Sequence, residues 1–404
     1  MTAAAVLAKA GKKTIVIERS DVPQKDWRAS TFHAATLELL ESIDITAAMI
    51  DEGLIVPRYQ FRDRTAGLVA EFDLTLLSEE TRFPYRLQLN QQRLVALLWD
   101  KLNNDPNVDL RFGAEVIGTE QHSDSVDVTI QTAAGTETLR GAYVIGADGA
   151  GSTVRKSAHI ALDGFTYEER FLIVSTPWDM RDLLPGIAEV NYISDPVEWL
   201  FILRTPDAWR VLWPVVAGVS DEEAMAPDEI QRHLQSVAAS ETDYPIIDKQ
   251  IYRIHQRVAE TFRSGRILLV GDAAHLNSPV GGVGLNSGVH DVFDLTTRLL
   301  RILDEGTDEA SELDTFASVR RQVAIEYVQA DTLRNTNRMR ETDATLRAES
   351  ERELREIAAD PDKARAWLRR VSLLEGVQKY GIGLPPNEIL ERVEATAVQA
   401  GADS

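Results

Sequence analysis

No cysteine occurs among the 404 residues. That absence excludes disulfides, thiolate metal sites, a cysteine nucleophile and any cysteinyl link to a prosthetic group, and it suits a reducing cytosol. Positive charge is scarce too, with 43 Lys and Arg against 64 Asp and Glu and a net charge of -21. A surface of that sign repels phosphate backbones and anionic headgroups, so small molecules are expected as partners, with no nucleic acid and no membrane. No apolar run is long enough to span a bilayer. The Ala-rich start is broken by Lys9, Lys12 and Lys13 without a cleavage-like signal, which points to a cytoplasmic protein. His, Asp and Glu do not fall into a metal spacing such as H-E-x-x-H, so no metal site is expected. Internal repeats and low-complexity linkers are missing as well.

What is present is ordinary globular chemistry, 44% hydrophobic and 26% charged, with chain enough for about two or three packed domains. Ala3 to Ala10 is a run of good helix formers stopped by Gly11, and Thr14 to Ile17 is a β-branched strand closed by Glu18. Together they read as the second half of a βαβ unit. In a dinucleotide-binding unit a strand and a G-x-G-x-x-G turn precede the helix, and an acid closing the second strand binds ribose hydroxyls. The acid is here and the glycines are not. Met1 falls where such a sequence would pass from its last glycine into the helix. The start therefore reads as truncated, lacking a strand and turn of roughly a dozen residues.

Downstream, apolar spacing predicts helices over Thr36 to Ile43 and Leu94 to Leu102. Strands are predicted at Val108 to Phe112, Glu115 to Gln121, Val126 to Thr132 and Glu137 to Gly141, with a turn at Ala133 to Thr136. Between Phe171 and Val219, alternating runs such as Glu198 to Arg204 and Trp209 to Val216 predict a separate antiparallel sheet as substrate platform. After Ser311 the pattern turns helical and highly charged to about Val377, read as solvated helix faces.

Two motifs carry chemistry. In the first, the apolar run Tyr143-Val144-Ile145-Gly146 enters the acidic glycine turn Ala147-Asp148-Gly149-Ala150-Gly151, and Ser152-Thr153-Val154-Arg155 then starts a helix. Such a turn lets backbone approach a ligand while Asp148 and Arg155 set the local charge. In the second, Ile267-Leu268-Leu269-Val270 delivers Gly271-Asp272-Ala273-Ala274-His275 to the carboxyl end of a strand, where open α/β sheets bind ligands. Pro279 and Gly281-Gly282-Val283-Gly284 then open a helix near Leu285-Asn286, whose free amides and positive dipole end suit an anion.

These two motifs resemble the D-G and G-D signatures of the FAD-dependent aromatic hydroxylases typified by para-hydroxybenzoate hydroxylase, over the chain from Met1 to roughly Val328. Arg320-Arg321-Gln322-Val323-Ala324 is similar to the basic helix that follows the second signature, and Arg28 and Gln91 fall where the family places cofactor contacts. The resemblance implies an α/β (α+β) chain. A Rossmann-like FAD-binding domain would be built from the discontinuous segments 1–56, 86–164 and 256–330. An antiparallel-sheet substrate domain would be inserted at 57–85 and 165–255, with a C-terminal helical region at 331–404. It implies Glu18 on the adenosine ribose, Arg28 and Gln91 on the ribityl and pyrophosphate region, and Asp272 on ribityl or phosphate groups. Pro279, Gly282, Gly284, Leu285 and Asn286 would lie against the flavin ring, and Asp148 near the approach of the nicotinamide. The implied activity is hydroxylation of a small phenol-like or heteroaromatic ring by non-covalent FAD with NADH or NADPH and O2, through a flavin hydroperoxide. A homodimer is the candidate assembly.

Histidine and tryptophan leave alternatives open. His33, shortly after Arg28, is the candidate acid-base group for the substrate hydroxyl or else a satisfied core residue. His275 reads as a structural hydrogen-bonder and His290 as polar support. Trp199, Trp209 and Trp213 read as sheet core or as walls of an aromatic pocket. A halogenase or quinone-pathway oxidoreductase on the same scaffold remains an alternative, although Trp209-Arg210-Val211-Leu212-Trp213-Pro214 departs from the W-x-W-x-I-P spacing of halogenases. So does a truncated flavoprotein without catalytic activity. Inserted or appended nicotinamide domains are not expected, since Gly282-Val283-Gly284 fails the dinucleotide spacing.

Overall fold

The computed structural model describes residues 1–385, 388–389 and 391–392. The rest of the expected 331–404 helical region lies outside the described residues. The chain opens with helix Thr2–Lys9, which Gly11 ends in a left-handed conformation (φ 73°). Strand Thr14–Ile17 follows and pairs in parallel with Val108–Arg111, Thr14 opposite Val108. A second parallel contact joins Val144–Gly146 to Ile267–Leu269, and Arg263–Ser264 adds an antiparallel edge to that sheet. Strands Glu115–Gln121, Val126–Thr132 and Gly135–Gly141 form a three-stranded antiparallel meander. Its last strand begins earlier than the periodicity predicts, because Gly135 (φ 125°) is the turn residue and pairs with Thr132.

The substrate platform anticipated between Phe171 and Val219 is part of a larger eight-stranded sheet. Its strands are, in spatial order, His275–Leu276, Asp248–Ala259, Leu162–Thr176, Trp209–Val215, Leu200–Arg204, Val190–Ser194, Arg58–Asp63 and Gly67–Asp73. One pairing departs from the antiparallel expectation. Val190–Ser194 runs parallel to Arg58–Asp63, which is allowed because more than a hundred residues connect them and parallel strands need a long crossover. The strand expected from Glu198 begins at Leu200. Asp195 explains the delay, since its carboxylate accepts from the amides of Val197 and Glu198 (2.8 and 2.7 Å) and holds the chain in a turn.

Helix boundaries follow the same competition between local signals. The helix predicted from Thr36 starts at Ala34, after an extended His33, and the one predicted from Leu94 starts at Gln91. In the C-terminal half, Asp308, Asp343 and Asp360 each accept hydrogen bonds from first-turn amides, starting helices Glu309–Val323, Ala344–Ala359 and Pro361–Val371. Between them a π-helical turn, Ala324–Gln329, leads into Ala330–Arg340. Among the described residues no helix is long and apolar enough to cross a membrane.

Helix Gly284–Leu300 is the axis of the molecule, buried along most of its length and packed on Thr2–Lys9, Ala34–Glu41 and Glu309–Val323. Its His290 bonds Thr36 Oγ1 through Nε2 (3.0 Å), and burial followed by the charge of Arg320 lowers its pKa to about 3. His33 is lowered to about 3 in the same way, by burial and then by Arg86. The folded values lie below the ordinary 6.5, so the unfolded chain takes up protons first. Stability is complete above about 6.5 and is lost as pH falls toward about 3, by about 1.4 kcal/mol per pH unit for each histidine. The denaturant midpoint should therefore fall as pH is lowered from about 7 to about 5. In His290→Gln, which keeps a polar partner for Thr36 without the titration, the fall should be shallower, and equal slopes would remove this account.

Candidate active site

Both glycine motifs end at the same edge because their strands are neighbours. Gly146 pairs with Leu269, and the amide of Val270 donates to the carbonyl of Gly146 (3.0 Å). A Cβ on Gly146 would lie 2.9 Å from Leu269 and from Val154, so nothing larger fits between strand and following helix. Past this point Asp148 is exposed and bonds Ser152 Oγ and the amide of Val154, while Ser152 caps helix Thr153–Ser157. Arg155 is buried and does not pair with Asp148. Its guanidinium donates to the carbonyls of Ala273 (2.9 Å) and Ala150 (3.0 Å), tying the first motif to the second.

The second motif is held from below by Asp291, which is fully buried on helix Gly284–Leu300. One oxygen accepts from the amide of Gly271 (3.0 Å) and from His275 Nε2 (2.8 Å), the other from Arg320 Nε (2.8 Å). Burial opposes the charge, yet His275 and Arg320 outweigh it and hold the Asp291 carboxyl at about 2. The helix and the turn also touch directly. A Cβ on Gly288 would sit 3.1 Å from the Cα of Gly271, and Gly271 has φ 57°.

Several groups at this edge are left for a ligand. Helix Gly284–Leu300 has no side-chain cap, which leaves first-turn amides free to meet an anion. Asp272 is exposed, and its side chain has no hydrogen bond among the described residues. Enough protein surrounds it that desolvation pushes its carboxyl up, with His275 and Arg28 opposing. Such a group lies in a cleft. Arg28, exposed and paired with Asp26, is thereby placed within electrostatic reach of Asp272. Pro279 is exposed and Gly282 and Gly284 are half-buried on the same turn. Glu18 is half-buried at the end of its strand, accepting from the amide of Ser20, and its charge reaches the amino group of Met1 at the uncapped start of helix Thr2–Lys9. The amide of Gln91 bonds the carbonyl of Ala29, one residue past Arg28. An uncapped helix start and an unpartnered carboxylate beside it, with open space at Gly149 and Gly151 of the first turn, fit a flavin dinucleotide.

The side chains of Asn286, Leu285 and His33 make contacts within the protein. Asn286 is fully buried and its amide is consumed by backbone, accepting from the amide of His33 (2.9 Å) and donating to the carbonyls of Thr31 and Gly282 (2.8 and 2.6 Å). Leu285 packs in the apolar cluster that contains Phe32 and Leu37. His33 bonds the carbonyl of Gly281 through Nε2 (3.1 Å). A carbonyl only accepts, so Nε2 carries the proton and Nδ1 is a lone pair without a partner.

Beside Gly281 lies a small, partly open cavity walled by Tyr59, Phe61, Tyr192 and Trp367, with Arg86 and Asn335 as polar members. Trp199, Trp209 and Trp213 do not line it. They are 4, 2 and 1% exposed in the core, and Trp213 stacks on His233. The charged C-terminal stretch is not only solvated surface, because it contributes Asp331, Thr332, Asn335 and Trp367 to this wall. Trp367 donates to Tyr59 Oη (2.7 Å) and stacks on Phe72. Sequence reading missed Arg86, Trp367 and Arg210, the last of which is buried and donates to the carbonyls of Trp27 and Arg28. A lone Arg in the apolar alternation around Leu87 and Leu89, and a lone Trp among arginines, were the available signals.

The profile of the FAD binding domain family matches residues 1–331. Para-nitrophenol 4-monooxygenase of Pseudomonas sp. (strain WBC-3) is 31% identical over 376 residues, 92% of this chain and 92% of that protein. The 6-hydroxy-3-succinoylpyridine 3-monooxygenase of Pseudomonas putida (strain DSM 28022 / S16) is 30% identical over 81% of this chain and 84% of its own. Among solved structures, p-nitrophenol 4-monooxygenase from Pseudomonas putida DLL-E4 superposes with a TM-score of 0.87 at 28% identity, covering 92% of this chain and 95% of that one.

The contact between Gly288 and Gly271 is testable apart from any assay of turnover. Gly288→Ala should destabilise the protein by about 1–3 kcal/mol through overpacking and lower its FAD content. Gly151→Ala, where nothing lies within 4 Å of the added carbon, should change stability by no more than about 0.5 kcal/mol. Thermal unfolding and flavin absorbance read both, and indistinguishable variants would show that the close approach constrains nothing.

Proposed function

The chain belongs to the FAD-dependent aromatic monooxygenases, and on that premise we propose that it hydroxylates a small phenol-like ring in the cavity beside Gly281. It is the family the two glycine motifs resemble. The observation that carries the proposal is the cavity itself, walled by Tyr59, Tyr192 and Trp367 and adjoining the glycine turn that follows the G-D signature. Two of the relatives are named for substituted phenol or hydroxypyridine substrates. The electron donor is NADH or NADPH, the oxygen source O2, and the setting cytoplasmic.

Bound FAD supplies reduction by the nicotinamide and activation of O2. We assign Glu18 to its ribose, Arg28, Gln91 and Asp272 to its ribityl and phosphate groups, and the amides opening helix Gly284–Leu300 to the electron-rich edge of its ring. Pro279 and Gly282 border that ring, and Asp148 shapes the adjoining turn. The eight-stranded sheet is the substrate-facing unit. His33 is a positioning residue here, because an imidazole that titrates at about 3 and spends Nε2 on Gly281 fixes the turn and is no proton acceptor at neutral pH. Asn286 does the same from the other side, and the aromatic walls exclude water from the ring.

Reconstituted with FAD, the protein should oxidise the nicotinamide faster when a suitable phenol is added, and isotopically labelled O2 should deliver one oxygen atom to the product. Nicotinamide oxidation that yields only peroxide with every phenol tried would overturn the reading. Asp272→Ala should lower FAD occupancy with the fold intact by circular dichroism, and unchanged occupancy would remove Asp272 from the cofactor site. His33→Asn should slow turnover without altering its pH profile near neutrality, whereas a flattened profile would return His33 to acid-base duty.

A further inference from the structure

Asn335 sits in the middle of helix Ala330–Arg340 and is 8% exposed. Asparagine is a poor helix former and gives up water on burial, so a buried helical asparagine normally offsets both losses with hydrogen bonds to the protein. Here neither end of the amide has a hydrogen-bond partner among the described residues, and Oδ1 is buried. The other buried side-chain amides among the described residues are all engaged. Gln60 donates to Glu71, Gln88 to Thr31 and Asn90 to Asp207, while Asn191 and Gln256 donate to the carbonyls of Ala188 and Gln329, and Asn286 is consumed by backbone as described above.

The remaining polar side chains around the cavity are engaged too. Tyr59 Oη accepts from Trp367 (2.7 Å), Tyr192 Oη from Arg86 (3.2 Å) and Asp331 from Arg370 (3.0 Å), and Thr332 Oγ1 donates to the carbonyl of Val328 (2.7 Å). The carbonyl of Gly281 is taken by His33 (3.1 Å). Asp331 and Asn335 stand one turn apart on the helix face that lines the cavity. The Asn335 amide also lies against the glycine turn, since a Cβ on Gly281 would come 3.4 Å from Nδ2. In so small a cavity, whatever enters meets this amide.

We propose that Asn335 determines specificity by reading a second substituent of the ring, one that both donates and accepts a hydrogen bond, such as a hydroxyl or a carboxamide. The proposal rests on the reading of this cavity as the substrate site. A side-chain amide carries an acceptor oxygen and two donor hydrogens on one planar group. A hydroxyl or carboxamide satisfies both ends, whereas a methyl group of like size excludes water and leaves both stranded. A site built around a buried hydrogen-bonding group rejects the analogue that lacks its partner far more strongly than an apolar pocket rejects a missing methylene. The favoured substrates are therefore rings with a polar group besides the hydroxyl that directs the reaction.

The test is calorimetric binding to FAD-loaded protein, without nicotinamide donor or O2, using catechol, resorcinol and hydroquinone against the ortho, meta and para cresols. Within each pair the hydroxyl and the methyl group are alike in size and occupy the same ring position. At one position the diol should bind wild type more tightly than its cresol. Asn335→Leu should cut that preference about tenfold or more, while binding the cresol at least as well as wild type does. Comparing the ratio within a pair between the two proteins cancels the difference in hydration of the ligands. No preference for any diol in wild type, or the same preference in wild type and Asn335→Leu at all three positions, would overturn the proposal. If Asn335→Leu fails to fold, Asn335→Ala takes its place with the same expected loss. Hydroxylation of phenols with diols and cresols bound alike would sink this assignment and leave the proposed function standing, whereas no binding and no hydroxylation of any phenol would sink the latter.

Discussion

The carboxylate of Asp291 joins three parts of the chain at a fully buried point. It accepts from the amide of Gly271, from His275 and from Arg320, and so pins the G-D turn, the strand end that follows it and the basic helix Glu309–Val323 to one residue of helix Gly284–Leu300. A buried carboxylate survives only if its oxygens are satisfied and its charge is met, and here both conditions hold. Everything at the cofactor edge inherits its position from this contact. The glycines at 271 and 288 allow the turn to lie against the helix, and the uncapped helix start then falls beside Asp272.

From that fixed helix the rest of the site is assembled by backbone-directed amides and guanidinium groups. Asn286 reaches across to Thr31 and His33, Arg155 reaches from the first motif to Ala273, and Arg210 reaches from the large sheet to Trp27 and Arg28. Each side chain grips main-chain atoms of another segment. Such contacts depend on chain path and not on the partner's side chain, so the segments that carry Arg28 and the glycine turns are held wherever their backbone runs. The side-chain amide of Asn286 is thereby spent on backbone, while His33 keeps Nδ1 without a partner.

The cavity has a different logic. Its walls come from strand Arg58–Asp63, strand Val190–Ser194, strand Arg86–Gln88 and the C-terminal helices, brought together by ring packing: Tyr59 on Phe72, Phe61 on Tyr192, and Trp367 on Phe72. Offset and edge contacts of this kind contribute about 0.5–1.5 kcal/mol each beyond the area they bury. They leave a space with aromatic walls and the Arg86 guanidinium, which has no carboxylate partner among the described residues.

Read alone, the amino-acid order settled what is local or contiguous. Strand Thr14–Ile17 and the meander strands Glu115–Gln121 and Val126–Thr132 follow from β-branched alternation and glycine turns, and both motifs are legible because strand, glycine and acid must be adjacent in the chain for backbone to approach a cofactor. The family was legible for the same reason. Boundaries slipped where a side chain out of register took over, as Asp195 does before Leu200. What only the tertiary structure decided was the lining of the cavity: that Trp199, Trp209 and Trp213 are core while Trp367 is wall, that the charged C-terminal helices close the cavity, and that Arg86 is buried without a carboxylate partner among the described residues. Those facts depend on which of many apolar and charged residues, hundreds of positions apart, meet in space. Periodicity reports which face of an element is buried and carries no record of what it is buried against.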